Sequence, residues 1–224
     1  KNPENAALFS ADVFTTSWLE TNVDLALKVK IGKKATLLTG INYFNYDLKT
    51  DSNRDGFTDV TLADRISVFQ KWNFQRKKYR LFSIATRYLY EDRWGGEMNW
   101  TPEYRGGDSI YGESIYTTRW ELLATYQLPI KEKVYFSTSV NHHNQNSFYG
   151  TTSFMAQQFI GFGQLYWDKK IGKHDLIVGA AARYTDYDDN SPATQSSDSL
   201  NPSNMPNISW IPGVLGISEK NPKS

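Results

Sequence analysis

Leu25, Leu27, Val29 and Ile31 occupy every second position of one stretch, with Asp24, Ala26, Lys28 and Lys30 between them. Side chains of a β-strand alternate between two faces, so the pattern predicts a strand with one apolar and one polar face. The same alternation returns along the chain. Leu37, Thr39, Ile41 and Tyr43 continue it, then Ile66, Val68, Trp72 and Phe74, and then Phe82, Ile84, Tyr88 and Tyr90 with Arg87 and Glu91 opposite. Trp120, Leu122, Ala124, Tyr126 and Leu128 alternate with Arg119, Glu121, Thr125 and Gln127. Val134, Phe136, Thr138 and Val140 follow, and after a less regular run through Ile160, Phe162 and Tyr166 the pattern closes on Leu176, Val178, Ala180, Ala182 and Tyr184. Eight strands are predicted, near 19–31, 35–46, 62–75, 79–91, 116–128, 133–143, 157–168 and 174–185, with a further one starting around Ser209.

The connections are of two kinds. Short basic turns lie at 32–34, 76–78, 129–133 and 169–173, and long polar loops at 47–61, 92–116, 144–156 and 186–207. Short turns at one rim and long loops at the other are what an up-and-down sheet shows when a membrane separates its rims. A strand tilted in a bilayer needs about 9–11 residues, and these segments reach that length. Strands of a soluble sandwich average about five or six residues with turns every 8–12 or so, which is shorter than the alternation seen here. Aromatic residues gather near strand ends, as Tyr43, Phe44 and Tyr46, Tyr88 and Tyr90, and Phe162, Tyr166 and Trp167. Tyr and Trp belts at the two membrane interfaces account for that placement. The expected fold is therefore all-β, an antiparallel up-and-down transmembrane β-barrel. The short turns would face the periplasm and the long loops the outside.

Eight strands are enough to close a small barrel. Several long loops, however, suit a larger one. The tail from Ser191 to Ser224 carries Pro192, Pro202, Pro206, Pro212 and Pro222 and has no terminal aromatic strand. Residues 1–224 are therefore read as part of one larger barrel domain, with 191–224 an extracellular loop and the start of a further strand. The start Lys1-Asn2-Pro3-Glu4 carries no apolar stretch of the kind a secretory signal needs.

Composition adds exclusions. No run of about 18 apolar residues exists, so no transmembrane helix is expected, and a mean hydropathy of -0.57 is compatible with a barrel that hides its apolar residues in alternation. A formal net charge of +1 argues against general binding of polyanions, nucleic acid included. The absence of Cys excludes a disulfide framework and thiolate metal sites.

Two loops carry a family resemblance. One is Asp51-Ser52-Asn53-Arg54-Asp55-Gly56-Phe57-Thr58-Asp59, which leads into Leu62-Ala63-Asp64-Arg65-Ile66. The other runs Glu91-Asp92-Arg93-Trp94-Gly95-Gly96-Glu97-Met98-Asn99-Trp100 and continues through Tyr111-Gly112-Glu113-Ser114-Ile115-Tyr116 and Tyr149-Gly150-Thr151-Thr152. Over roughly 8–190 the chain resembles the barrel portion of a TonB-dependent outer-membrane receptor, in the style of Bacteroides-group receptors of the vitamin B12/ferric-siderophore branch. The resemblance implies a barrel of about 22 strands plugged by an N-terminal domain. It implies import of a scarce small-molecule nutrient, a corrinoid or metal chelate, driven through the TonB complex. Outer-membrane lipid and a surface lipoprotein would be the other partners. Neither plug nor TonB box occurs in this sequence.

Asp51, Asn53, Asp55 and Asp59 stand at relative positions 1, 3, 5 and 9, with Gly56 at position 6. That spacing aims oxygen ligands at a hard cation, making Ca²⁺ in the loop 47–64 the candidate cofactor. Leu62 occupies position 12, where an EF-hand has its bidentate Glu, so Asp47, Asp64 or a second loop would have to contribute. Receptors of the vitamin B12 branch are similar in carrying an Asn/Asp-Asp-Gly-Phe calcium loop, which Asn53, Asp55, Gly56 and Phe57 match. Asp, Asn and Gly are also ordinary turn formers, and that reading stands beside the first. Trp94, Trp100, Tyr104, Tyr111 and Tyr116 are the candidate substrate-binding residues, since aromatic rings give large contact area at low entropic cost. Their alternative role is to stack on one another and hold the loop.

No catalytic residues are expected. His142 and His143 are adjacent and would face opposite ways on a strand, His174 falls at a short turn, and no Gly-x-Ser-x-Gly, His-Glu-x-x-His or phosphate-binding glycine loop is present. A passive porin and a barrel acting as a surface binding protein are the alternatives to the receptor.

Overall fold

The computed structural model describes residues 2–172, 174–191 and the strand at 207–213. Ten strands form one antiparallel sheet in strict chain order. They are β1 (Phe9–Thr15), β2 (Thr21–Ile31), β3 (Ala35–Tyr46), β4 (Leu62–Phe74), β5 (Phe82–Gly96), β6 (Gly112–Gln127), β7 (Lys133–Tyr149), β8 (Thr152–Ile171), β9 (His174–Asp189) and β10 (Asn207–Gly213). No α-helix occurs among the described residues. The sheet is not closed on itself, and β1 and β10 are its two edges.

Each ladder advances one residue against one, without a bulge, so the two faces can be followed across the whole sheet. Leu25 pairs with Ile41, and the row continues through Val68, Tyr88, Trp120, His142 and Phe159. Ile31, Ala35, Phe74, Phe82, Tyr126, Phe136 and Leu165 form another row of the same face, nearer the short turns. Lys28, Arg87, Glu121 and Arg183 lie on the other face. The sidedness read from alternation is therefore the sidedness of the sheet. Exceptions are Gln70, which sits on the apolar face in register with Thr39 and Thr86, and part of β8. Ile160, Phe162 and Tyr166 continue the expected apolar pattern in the sequence but lie on the polar face, while Phe159, Leu165 and Trp167 hold the apolar one.

The apolar band crosses the strands obliquely. On β2 it runs from Val23 to Ile31, and on β9 from Tyr184 down to Leu176. Traced through the ladders, Tyr184 is level with Leu27, four residues nearer the short turns than Val23. Strands tilted across a band of fixed height would show this drift.

Almost nothing is buried between layers. Leu27 is 46% exposed, Trp120 44% and Leu165 48%, all on the apolar face. Most of the buried side chains, among them Tyr46, Leu62, Trp100, Ser114 and Ser147, lie at the loop rim. A second small buried group includes Pro3, Thr36 and Leu38. There the chain leaves the edge of β2 and crosses the polar face. Lys28 Nζ donates to the carbonyls of Ala6 and Glu4, and Asn73 Nδ2 donates to Asn2 Oδ1 at 2.7 Å.

Several expected boundaries shift. A strand precedes the first one expected: Phe9–Thr15 pairs with β2, and residues 16–20 are a turn in which Leu19 has φ 62° and its N–H donates to Thr16 O. The segment 144–156 is not a loop. β7 and β8 run through it to a tight turn at Gly150, where φ is 57°. Asn144, Gln145, Asn146 and Ser147 are polar on both faces, so alternation has nothing to show there. The loop expected at 92–116 contracts to 97–111, and β9 extends to Asp189. Residues 79–81, expected in a strand, belong to the turn, whereas Lys169, Lys170 and Ile171 belong to β8. The strand expected near Ser209 is the tenth, and residues 192–206 and 214–224 of the tail lie outside the described residues.

The β7–β8 tip allows a direct test, helped by a chain without cysteine. Asn144 pairs with Gln157 on one face, while Gln158 points to the other. An Asn144→Cys/Gln157→Cys pair should oxidise to a disulfide under mild conditions and an Asn144→Cys/Gln158→Cys pair should not. Equal yields would mean that this segment is the loop its composition suggests.

Candidate functional site

The rim of long loops is where local chemistry concentrates. In 47–61 the Asp and Asn side chains fold the chain by accepting from its own N–H groups. The amides of Asp55 and Gly56 donate to the two oxygens of the Asp51 carboxylate at 3.1 and 3.0 Å. The Phe57 amide donates to Asp55 at 2.8 Å, and Asn53 Nδ2 donates to the other Asp55 oxygen at 2.9 Å. Asp59 accepts from the Ser52 amide at 2.7 Å, and this bond holds the Asp59 carboxyl below its ordinary pKa. Arg54 and Gly56 take positive φ, 61° and 86°, where the chain reverses. The four residues of the calcium spacing are thus together in one turn. Their oxygens serve amides of that turn, and no group of three His, Cys, Asp or Glu side chains among the described residues is placed to hold a metal.

The second loop, 97–111, is laid against the first. Met98 N–H donates to Gly56 O at 2.9 Å, Thr58 N–H to Gly96 O at 2.8 Å, and Gly96 N–H to the Thr58 hydroxyl at 3.1 Å. Lys49 crosses between them, its ammonium donating to the carbonyls of Met98 and Trp100 at 3.0 and 3.1 Å. The same ammonium lies 4.7 Å from the Trp94 ring centroid, and the Trp94 and Trp100 rings are 4.8 Å apart. Gly112 is required beneath them, since a Cβ there would stand 2.4 Å from the Trp100 ring.

Arg105 makes the second anchor. Its guanidinium lies over Tyr116 and Phe148, 4.4 and 4.5 Å from the ring centroids. Nε donates to Ser114 Oγ at 3.0 Å, and Nη2 donates to the carbonyl of Asn146 at 2.9 Å and to its side-chain oxygen at 2.7 Å. Cation–π contacts of this kind contribute roughly 0.5–2 kcal/mol each, more where water is excluded.

The five aromatic candidates therefore do not share one surface. Trp100 is 2% exposed and has no face left for a ligand. Trp94 lies between Lys49 and Trp100, and Tyr116 lies under Arg105. Tyr104 is half-buried in a short turn. Tyr111 is 41% exposed, 6.4 Å from Phe57, and its hydroxyl donates to Glu113 at 2.8 Å, a bond that raises the Tyr111 pKa. In register Trp94, Ser114 and Phe148 continue the apolar-face rows beyond the band. The cap thus packs on the apolar-face side of the sheet. Sequence reasoning missed Lys49, Phe148 and Asn146 as partners, and nothing in their own surroundings marks them.

The polar face carries a ladder of mixed charge. Arg87 pairs with Glu121 at 2.8 Å, Asn141 Nδ2 donates to Glu121 at 3.0 Å, and Arg65 lies 3.9 Å from Glu91. His143 faces Arg119 at 3.2 Å on this side, while His142 stacks on Trp120 on the other, so the two histidines do not act jointly.

No protein-family model, no curated protein and no solved structure matches this chain.

The Asp59 bond sets a pH dependence. A carboxyl whose pKa is depressed in the folded state contributes order above its unfolded pKa and loses it as pH falls through the folded value. Protection of the Ser52 amide against hydrogen exchange, corrected for the intrinsic rate, should therefore drop below the ordinary carboxylate range. In Asp59→Asn that step should vanish. A step of the same size in the variant would assign it to another group.

Proposed function

We propose that this chain is part of the barrel of a TonB-dependent outer-membrane receptor that imports a scarce nutrient, a corrinoid or an iron–siderophore complex. The observation that carries the membrane reading is the uncovered apolar face. Soluble monomers rarely expose contiguous apolar patches beyond a few hundred Å². Here whole rows of Leu, Ile, Val and aromatic side chains stand unburied across eight strands, and their reverse face is charged. A bilayer resolves the conflict by solvating one face with lipid and the other with water in a closed barrel. The oblique drift of the band fits tilted strands. The aromatic residues Tyr43, Tyr88, Tyr90 and Trp120 lie at its loop-side edge, as interface residues do.

A receptor is favoured over an open porin by the course of residues 2–8. They leave the sheet at Leu8 and cross the polar face toward Asn73, so this segment already lies on the side that a plug would occupy. Residues with uncovered surface at the loop rim, Phe57, Tyr104 and Tyr111, offer contacts for an arriving ligand. Calcium held by Asp51, Asn53, Asp55 and Asp59 belongs to the same reading, and would bind by taking carboxylate oxygens that now accept from the turn.

Two outcomes test this. Leu122 and Leu123 are neighbours on opposite faces. Arg on the lipid face near the midplane costs about 2–4 kcal/mol, so Leu122→Arg should impair assembly in the outer membrane far more than Leu123→Arg. Equal damage would remove the membrane reading. The full-length protein, purified from membranes, should retain a corrinoid or metal chelate and stay electrically silent in a planar bilayer. Chelating calcium should weaken ligand binding in wild type and have less effect in Asp55→Ala. A steady conductance with no ligand would make the protein a porin.

A further inference from the structure

The net charge of +1 conceals a strong polarity. The loop rim is acidic, with Asp51, Asp55 and Asp59 in one loop and Glu97, Glu103 and Asp108 in the next. The opposite rim is basic at 32–34, with Lys33 and Lys34, at 76–80, with Arg76, Lys77, Lys78 and Arg80, and by one net charge at 131–133, where Glu132 stands between Lys131 and Lys133. Lys33, Lys34, Lys77, Lys78 and Lys131 are all exposed there, and none forms an ion pair among the described residues. These lysines sit directly below the end of the apolar band, next to exposed apolar side chains at the turn tips. Tyr79 is fully exposed, Leu81 is 43% exposed, Ile130 46% and Ile171 53%.

Arg80 at this rim donates to the carbonyl of Ile130 at 3.0 Å, and two further basic groups at the band's edge lie against aromatic rings. The Arg76 guanidinium lies 4.0 Å from the Tyr126 ring centroid and donates to the carbonyl of Gln127 at 2.6 Å. Lys169 lies 5.2 Å from the Trp167 ring centroid and pairs with Glu132 at 2.9 Å. Tyr126, Trp167 and Lys169 all stand on the apolar face. They form a lower edge at which apolar residues give way to aromatic rings and then to cations. This order of chemistry matches hydrocarbon, interface and phosphate in a phospholipid leaflet.

We infer that the basic rim binds anionic phospholipid headgroups in the leaflet it contacts, with the exposed turn lysines as phosphate ligands and Tyr79, Ile130 and Ile171 seated among the headgroups. The inference rests on the membrane reading given above. Clusters of four to eight Lys or Arg beside a membrane span recognise anionic lipid, each contributing about a fivefold change in partition. The acidic rim would repel the same headgroups, so the binding also favours one orientation of the protein in the bilayer.

The test uses the full-length protein in vesicles of phosphatidylcholine and phosphatidylglycerol, with bromine on the acyl chains of one lipid or the other. Trp72, Trp120 and Trp167 lie on the apolar face and report by fluorescence quenching. Wild type should be quenched preferentially by brominated phosphatidylglycerol, at least several-fold over phosphatidylcholine, with the preference shrinking as salt rises. A Lys33→Gln/Lys34→Gln/Lys77→Gln/Lys78→Gln variant should lose most of the preference while keeping full quenching by both lipids together. The corresponding Lys→Arg variant should retain it. Equal quenching by the two lipids in wild type, or a preference that survives the Gln variant, overturns the inference. A preference abolished by inorganic phosphate but not by chloride at the same ionic strength reassigns the rim to free anions and also overturns it. Absence of quenching by either lipid is a different failure, since it removes the membrane reading itself.

Discussion

A sheet one layer thick cannot shelter its own side chains, and everything else in this protein follows from that. The ladders satisfy the backbone N–H and C=O groups of the interior strands, which supports the strands as local structure. They do nothing for the rows from Leu25 to Phe159 and from Ile31 to Leu165, which, Ala35 apart, are left exposed or half-buried on one face. Burial of apolar surface is ordinarily the main driving force of folding, and the described residues provide no second layer to bury it against. The stability of the sheet therefore has to come from the medium on its apolar side and from whatever joins its edges.

Where the strands outrun the apolar band, the chain changes strategy. β5 to β9 are each 15 residues or longer, and their loop-side ends run past the apolar band. There the two loops supply the missing layer. Trp100 settles on Gly112, Lys49 ties the loop carbonyls to the Trp94 ring, and Arg105 is clamped between Tyr116 and Phe148. The cap is held chiefly by cations on rings and by turn carboxylates on amides. Such contacts tolerate the partial hydration of a rim better than a purely apolar core would.

Much of the sheet was legible because alternation is a two-sided constraint. Wherever one face was apolar and the other polar, as from Leu25 to Ile31 or Trp120 to Leu128, strand, face and approximate length could all be read. Legibility failed where the chain was polar on both faces. Asn144 to Ser147 carry no period, and Phe9 to Thr15 form a short edge strand in which Phe14 breaks the pattern. The acidic turn was legible as a turn with converging oxygens, since spacing alone fixes that. The aromatic candidates were legible as a cluster but not as a surface. Whether a ring is spent on packing depends on Lys49 and Arg105, whose partners lie 51 and 41 residues away in the chain.

Which rings are spent also limits how a ligand could enter. Trp94, Tyr116 and Phe148 are on the apolar-face side of the strands, so the cap thickens the sheet on that side and adds nothing to the polar face at this rim. A solute travelling along that face would meet Arg65 and Glu91, then Arg119 and His143, then Arg87 with Glu121 and Asn141. These groups are largely paired with one another. The paired part of this ladder, Arg87 with Glu121 and Asn141, is strongly dipolar and can exchange hydrogen bonds with a polar solute, whereas Arg119 faces an imidazole and forms no ion pair among the described residues. Tight capture by such a wall is not expected. Exposed ring surface lies instead at the loop rim, where Phe57 and Tyr111 are 42% and 41% exposed beside the acidic turn.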